Sequence, residues 1–580
     1  MINLYRRLGL GGCGLLATAL LLGACETPPD TPPPADLVLR GGEVVSLAPA
    51  IGTQQALAVR GSKIVAVGSD QEIGAYVGAD TEVIELGGRA VIPGLIEGHG
   101  HFLSLGRSKQ ILDLTQAESF ADIVAQVAAA ADGADEGVWI FGRGWHQDKW
   151  REQEPEMVDG VPLNRSLNRV SPDNPVLLGH ASGHAAYAND AALAAAGIDD
   201  QTPDPAGGTI VRDQDGRATG LLRETAQRLV SRAGDAYLAQ APAAVRDAQF
   251  RERVALAGRE ALAYGVTSFH DAGASFAEIE QFRELEQQGG LPVRLYVMVR
   301  GASNEEMASR LGEFYMPYED NDFLTVRSIK RQIDGALGAH GAWLLEPYAD
   351  LTTSTGLVLE TVGDIEETAR IAIANGYQVN THAIGTRANR EVLDLYERIW
   401  AEAGADGRAL RWRIEHAQHV HPADVPRFGQ LGVIAAVQGV HCTSDGPWIP
   451  SRLGAARTAL TSYRWRDFLD TGARLNNGTD APVESLDPFA SLHASVARVM
   501  NTGEAFHAGQ AMTRLEALRS YTIDNAFSAF EEDAKGTLEP GKLADLVVLS
   551  QNLLTVPAER IPETRVLYTI VGGDIRYEAD

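Results

Sequence analysis

Short apolar runs broken by glycine turns dominate both ends of the chain. Leu37-Val-Leu-Arg40, Ala56-Leu-Ala-Val59, Lys63-Ile-Val-Ala-Val67 and Thr81-Glu-Val-Ile-Glu85 are separated by Gly41-Gly42 and Gly61-Ser62. This texture predicts strands in a β unit. Asp545-Leu-Val-Val-Leu549 and Arg565 to Asp574 repeat it near the other end. Between them, β-branched segments alternate with helical ones, the pattern of βα units. From His101 to about residue 260 there is more chain than one βα connection needs. That stretch holds a helical run from Phe120 to Ala129. It also holds a hairpin from Gly208 to Arg217, turned at Asp215-Gly216. It is expected to be an insertion that folds over the open end of the larger body.

The chemistry concentrates where apolar segments end. Pro93-Gly-Leu-Ile-Glu-Gly-His-Gly-His101 predicts a strand whose last two histidines, at i and i+2, point the same way. His99 and His101 are therefore placed to share one metal ion. Lys330 closes Thr325-Val-Arg-Ser-Ile-Lys330, His382 follows Gln378-Val-Asn-Thr, His416 follows Arg411-Trp-Arg-Ile-Glu, and Asp480 follows Ala473 to Thr479. From Lys330 onward each gap admits at least one βα unit of ~30 residues. Polar groups at the carboxyl ends of successive parallel strands converge on one mouth in a (β/α)8 barrel. An α/β fold of that kind, with imidazole and carboxylate ligands for a divalent metal, is the expectation.

Composition alters the picture at two points. Arg6 and Arg7 precede an apolar run from Leu8 to Leu22, which is too short to span a membrane and fits a signal peptide over residues 1–24. Leu22-Gly-Ala-Cys25 resembles a bacterial lipobox, which would make Cys25 the lipidated first residue of the mature protein. The proline-rich residues 25–35 then read as a tether. The expected location is beyond the inner membrane, on the periplasmic or outer-membrane face in a diderm host. Cys442 is the one thiol left in the folded part, so no internal disulfide is available. The formal net charge of -27 argues against nucleic acid and anionic lipid as partners, leaving a lipid anchor as the membrane attachment. A small-molecule substrate is the expected partner, and self-association is left open.

The ordered set His-x-His, Lys, His, His, Asp resembles the metal-dependent amidohydrolase superfamily. The closer resemblance is to its N-substituted formamide deformylase-like branch (amidohydrolase 3 type). It is carried by Pro93 to His101, Lys330-Arg-Gln-Ile-Asp-Gly-Ala-Leu-Gly338, His382-Ala-Ile-Gly-Thr-Arg-Ala-Asn389, Arg413-Ile-Glu-His-Ala-Gln418, Asn477-Gly-Thr-Asp-Ala-Pro482 and Lys535 to Asp545. The resemblance implies a TIM barrel over residues 93–535 with an insertion at about 104–260. It also implies a β-sandwich in which residues 36–92 pair with 536–580. By the same resemblance Lys330 is carboxylated by carbon dioxide and bridges two metals, one held by His99, His101 and Asp480, the other by His382 and His416. Zinc leads among the ions, with manganese, iron and cobalt open. A single-metal site with unmodified Lys330 is the competing arrangement.

Asp480 is the expected general base of hydrolysis at a carbon–nitrogen bond, by a metal-activated water. His184, in Gly179-His-Ala-Ser-Gly-His184, matches a family segment of the insertion that reaches substrate, whereas His180 is assigned to structure. His340 stands where relatives often carry Ser-Arg, a departure that bears on substrate charge. His441, Asp445 and Trp448 follow the apolar Val433 to Val437 and are candidates to line the pocket, as are Trp145 and Trp150. Deaminases of this superfamily usually carry His-x-x-Glu where this chain has His382-Ala-Ile-Gly385. Lactone or ester hydrolysis, deamination and a non-catalytic binding lipoprotein are the alternatives.

Overall fold

The computed structural model describes residues 32–147, 150–151, 156–318 and 322–579. The expected signal segment and Cys25 lie outside them. Eight strands, β1 (Leu95–Gly100), β2 (Val266–Ala274), β3 (Arg294–Val299), β4 (Leu324–Gln332), β5 (Gln378–Ala383), β6 (Arg413–His416), β7 (Ile434–Gln438) and β8 (Leu475–Gly478), lie side by side in chain order. Every neighbouring pair is parallel. Strands such as β3 and β7 are buried along their whole length because helices cover the outer face while the barrel fills the inner one. The helix Phe276–Gln287 shows how that cover forms. Ser275 and Glu278 make a capping box at its start, and Phe276, Ile279, Phe282 and Leu285 form the stripe it buries. The expected (β/α)8 barrel is the observed fold.

The barrel closes where β1 meets β8, and two glycines make the approach tight. A Cβ on Gly98 would meet the Asn477 backbone oxygen at 2.4 Å, and one on Gly478 would meet the His99 nitrogen at 2.6 Å. Asn525 stitches the seam. Its amide donates to the carbonyls of Ile96 (2.7 Å) and Asn477 (2.8 Å), and its oxygen accepts from the Asn477 N–H (3.1 Å). Above it, the Asp480 N–H donates to the His99 carbonyl and the His101 N–H to the Ala481 carbonyl, both at 2.7 Å.

The chain between β1 and β2 builds a six-stranded sheet with the spatial order Leu112–Asp113, Ile140–Trp145, Val176–His180, Ala185–Ala188, Ala218–Glu224, Gly208–Arg212. The last two strands form the expected hairpin. The two ends of the chain pair directly, Leu546–Leu549 running antiparallel to Ala90–Pro93 within a second six-stranded sheet. A four-stranded sheet containing Leu37–Arg40 faces it, and Leu39, Leu57, Val91 and Val548 share one buried cluster between them. A buried ion pair ties this unit to the barrel: Arg294 at the start of β3 donates to both oxygens of Asp545, at 2.7 and 3.0 Å.

Asn525→Ala should lower the denaturation midpoint by an amount corresponding to about 2–4 kcal/mol, because it strands buried carbonyls and an N–H at the seam. Urea titration of the purified variant checks this, and an unchanged midpoint contradicts the seam's role.

Candidate metal centre and cavity

The seam sets the geometry of the first three candidate ligands. His99 and His101 leave the end of β1 on one face, and Asp480 follows β8 directly across from them. One ligand atom from each of the three lies within 4.8 Å of the other two. The nearest Asp480 oxygen, Oδ1, is 3.2 Å from His101 Nε2 and 3.6 Å from His99 Nε2. Asp480 takes a left-handed φ of 59°, as does His416 at 76°. Strain of this kind in non-glycine residues is what turning a side chain at a strand end into a shared mouth requires.

His382 and His416 stand beside this group, their ring centroids 4.3 Å apart, with His416 4.8 Å from His99. Lys330 Nζ lies 3.4 Å from His99 Nε2. Second partners aim the rings. His99 Nδ1 bonds the Glu415 carboxylate, which Arg413 holds from below with Nε at 2.6 Å and Nη2 at 2.9 Å. His416 Nδ1 bonds Gln438 Oε1 at 2.8 Å, leaving Nε2 for the mouth. Asp334 receives the backbone N–H groups of Trp343, Ile384 and Gly385 at 2.8–2.9 Å and reaches within 3.6 Å of His382 Nε2.

Burial governs the protonation states. It pulls His99 down to about 4, with Lys330 helping, lowers His101, and drives His382 and His416 well below the ordinary imidazole range. All four rings are therefore neutral at pH 7, the state in which imidazole ligates metal. Burial also brings the Lys330 ammonium down to about 8. Burial opposes the charges of Asp480 and Glu415. Even so, His101 and His99 hold Asp480 far below the usual carboxylate range, and Arg413 and His99 do the same for Glu415. The donor set fits a divalent cation on a further observation. Asp480 Oδ1, His382 Nε2 and His441 Nε2 are buried and lack a hydrogen-bond partner among the described residues.

These groups open into a cavity of about 660 Å³ between the barrel mouth and the insertion. His101, Lys330, His382, His416 and Asp480 line its floor, and His184, Trp145, His441, Asp445 and Trp448 its walls. His184 descends from the insertion to within 6.1 Å of the His382 ring, and its Nδ1 bonds Glu224 Oε2 at 2.8 Å. Burial alone would depress its pKa, but Glu224 raises it. Asp445 accepts from the Tyr463 hydroxyl at 2.8 Å, and Gln418 lies 3.2 Å from His441 Nδ1. His340 is not among the lining residues. Its φ of 57° turns the ring edge-on to Tyr348, with Nε2 3.1 Å from Asp350. Trp150 packs into the core of the insertion against Trp145 and Phe120.

Glu415, Asp334, Gln438 and Glu224 are not among the candidates that the sequence marks. Glu415 carried one signal: it lies two residues beyond Arg413 on the strand that ends in His416, so the two side chains share a face.

A family model described as "Amidohydrolase family" matches residues 82–577. The protein LONG AFTER FAR-RED 3 of Arabidopsis thaliana is 33% identical over 561 residues, covering 94% of this chain and 93% of that one. The N-substituted formamide deformylase of Arthrobacter pascens is 27% identical and covers 94% of this chain and 98% of its own. A crystal structure of an uncharacterized metal-dependent hydrolase from Pyrococcus horikoshii superposes with a TM-score of 0.72 at 25% identity, covering 90% of this chain and 99% of that one.

The neutral histidines predict acid sensitivity of the metal-free protein. An unfolded histidine takes up its proton near pH 6.5, whereas His99 in the fold resists until about 4. The stability it contributes is complete above about pH 6.5 and erodes as pH falls toward 4, by up to about 1.4 kcal/mol per pH unit for each such ring. Thermal melts in chelator should show Tm falling from pH 7 to pH 5. A flat profile contradicts the assignment.

Proposed function

The chain belongs to the amidohydrolase family, and we propose that it hydrolyses a non-peptide amide, an N-acyl or N-formyl amine, with a divalent cation held at the barrel mouth. The observation that carries this reading is the convergence of His99, His101 and Asp480 ligand atoms within 4.8 Å, with His382, His416 and Lys330 completing the floor of one cavity. A cation bound there, zinc first among the candidates, supplies Lewis acidity toward the carbonyl and lowers the pKa of a coordinated water toward neutrality.

The side chains divide the remaining work. His99, His101 and Asp480 would hold one ion and His382 and His416 a second. Lys330 lies between the two groups, and its depressed pKa leaves a fraction of free amine at neutral pH. Carboxylation of Nζ by carbon dioxide, with release of one proton, would make Lys330 an anionic ligand. Two divalent cations among four neutral imidazoles need that negative charge. Asp480 takes the proton from the attacking water and passes it to the departing nitrogen. His184, its pKa raised by Glu224, would in its charged form donate a hydrogen bond to the substrate carbonyl oxygen. Trp145 and Trp448 form the apolar wall, and the insertion excludes bulk water.

Lys330→Ala should lose metal and activity together, with partial rescue by small carboxylates. Asp480→Asn should retain much of its metal while turnover falls by ~10²–10⁴. Elemental analysis and kinetics on the two variants check this. Full metal and activity in Lys330→Ala would replace the binuclear arrangement with a single-metal site.

The amino-terminal segment supports a second proposal, that the mature protein is a lipoprotein beginning at Cys25. Mass spectrometry of the native amino terminus should find acylated Cys25. An unmodified terminus at another residue contradicts it.

A further inference from the structure

Cationic side chains outnumber carboxylates along the cavity wall, in a chain whose formal charge is -27. Several of these cations are neutralised where they stand. Arg107 pairs with Asp235, Arg223 with Asp159, and Arg452 with Asp350. Arg143, Arg228 and Arg300 have no carboxylate within ion-pairing distance among the described residues, and Arg143 and Arg300 are the two whose guanidinium groups are held by hydrogen bonds.

Both guanidinium groups are built into place by neutral partners. Arg143, from the insertion, donates Nη2 to the Ala181 carbonyl at 3.0 Å and Nη1 to the carbonyl of Pro482, two residues past Asp480. Arg300 follows β3, and the pairing of Val299 with Ile329 puts it in register with Lys330 on β4. Its stem lies flat over Gly273, where a Cβ would meet Arg300 Cδ at 2.4 Å. Nη2 donates to the neutral Gln332 Oε1 at 3.1 Å. Backbone carbonyls and an amide satisfy these N–H groups without forming an ion pair, while Glu360, Asp480 and Asp271 act on Arg300, and Asp480 and Asp113 on Arg143, from beyond ion-pairing distance. Glu484, another lining carboxylate, acts on Arg143 from beyond ion-pairing distance.

We propose that Arg300 and Arg143 form an anion subsite, and that the substrate carries a carboxylate within a few bonds of the scissile amide, as an N-acyl amino acid does. The short reach follows from the register of Arg300 with Lys330, since neighbouring strands lie about 4.8 Å apart. This rests on the hydrolytic reading above and names its substrate class.

The test uses a matched pair, N-formylphenylalanine as both enantiomers and N-formylphenethylamine, which differ by the carboxylate alone. Binding to the metal-loaded protein is measured by calorimetry and turnover by formate release. The carboxylate member should bind roughly 10- to 100-fold tighter, the range of a charge-assisted contact. Arg300→Gln and Arg143→Gln should each shrink that preference, chiefly through KM, and Arg300→Lys should restore part of it. The preference in the wild-type protein is decisive whether or not a variant folds. Equal binding of the twins, including no binding of either, overturns the subsite. Turnover of the neutral twin as fast as the carboxylate overturns it too, and leaves the hydrolytic reading standing. Preferential binding of the carboxylate without turnover of either twin supports the subsite and removes the hydrolytic reading. Loss of metal in Arg300→Gln with both twins equally slowed assigns Arg300 to Lys330 and overturns the proposal.

Discussion

The close approach of β1 and β8 is the constraint on which the rest of the structure depends. Eight parallel strands form a barrel only if the first and last can meet, and here they meet through Gly98 and Gly478, where any side chain would collide with the facing backbone. The same contact bonds the Asp480 N–H to the His99 carbonyl. Closure of the fold and assembly of the His99, His101 and Asp480 group are thus one event. A loosened seam would separate candidate ligands that come from opposite ends of the barrel sequence.

Packing so many ionisable groups into a desolvated mouth is unfavourable unless each is held in a defined state. The fold meets this with layered partners. Arg413 neutralises Glu415, Glu415 orients His99, and burial leaves the imidazoles uncharged. Lys330 is the one cation on the floor of the mouth, and its register beside Arg300 places two positive groups next to each other. An unbalanced charge of that kind is expected where a site is completed by an anion that the polypeptide does not supply.

Much of this was legible in the sequence because the candidate ligands sit at strand ends, and a strand end shows itself as an apolar run stopping at a polar residue. His99 and His101 declared themselves by the period of two, and the hairpin at Asp215-Gly216 by its turn chemistry. Residues whose role depends on long-range contact did not. Glu415, Asp334 and Glu224 look like ordinary carboxylates until the fold sets them against His99, His382 and His184. The neighbours Gly338 and Ala339 line the cavity, while His340's own left-handed backbone sends its ring toward Asp350. Arg300 and Arg143 were invisible for a related reason. An arginine held by neutral partners instead of a bonded carboxylate is recognised only when the fold sets its neighbours around it.

Anomalous diffraction at the metal edge from crystals of the metal-loaded protein tests the proposed centre most directly. A peak is expected within bonding reach of His99, His101 and Asp480, and a second beside His382 and His416. A fully active protein whose only peak lies away from these residues would contradict it.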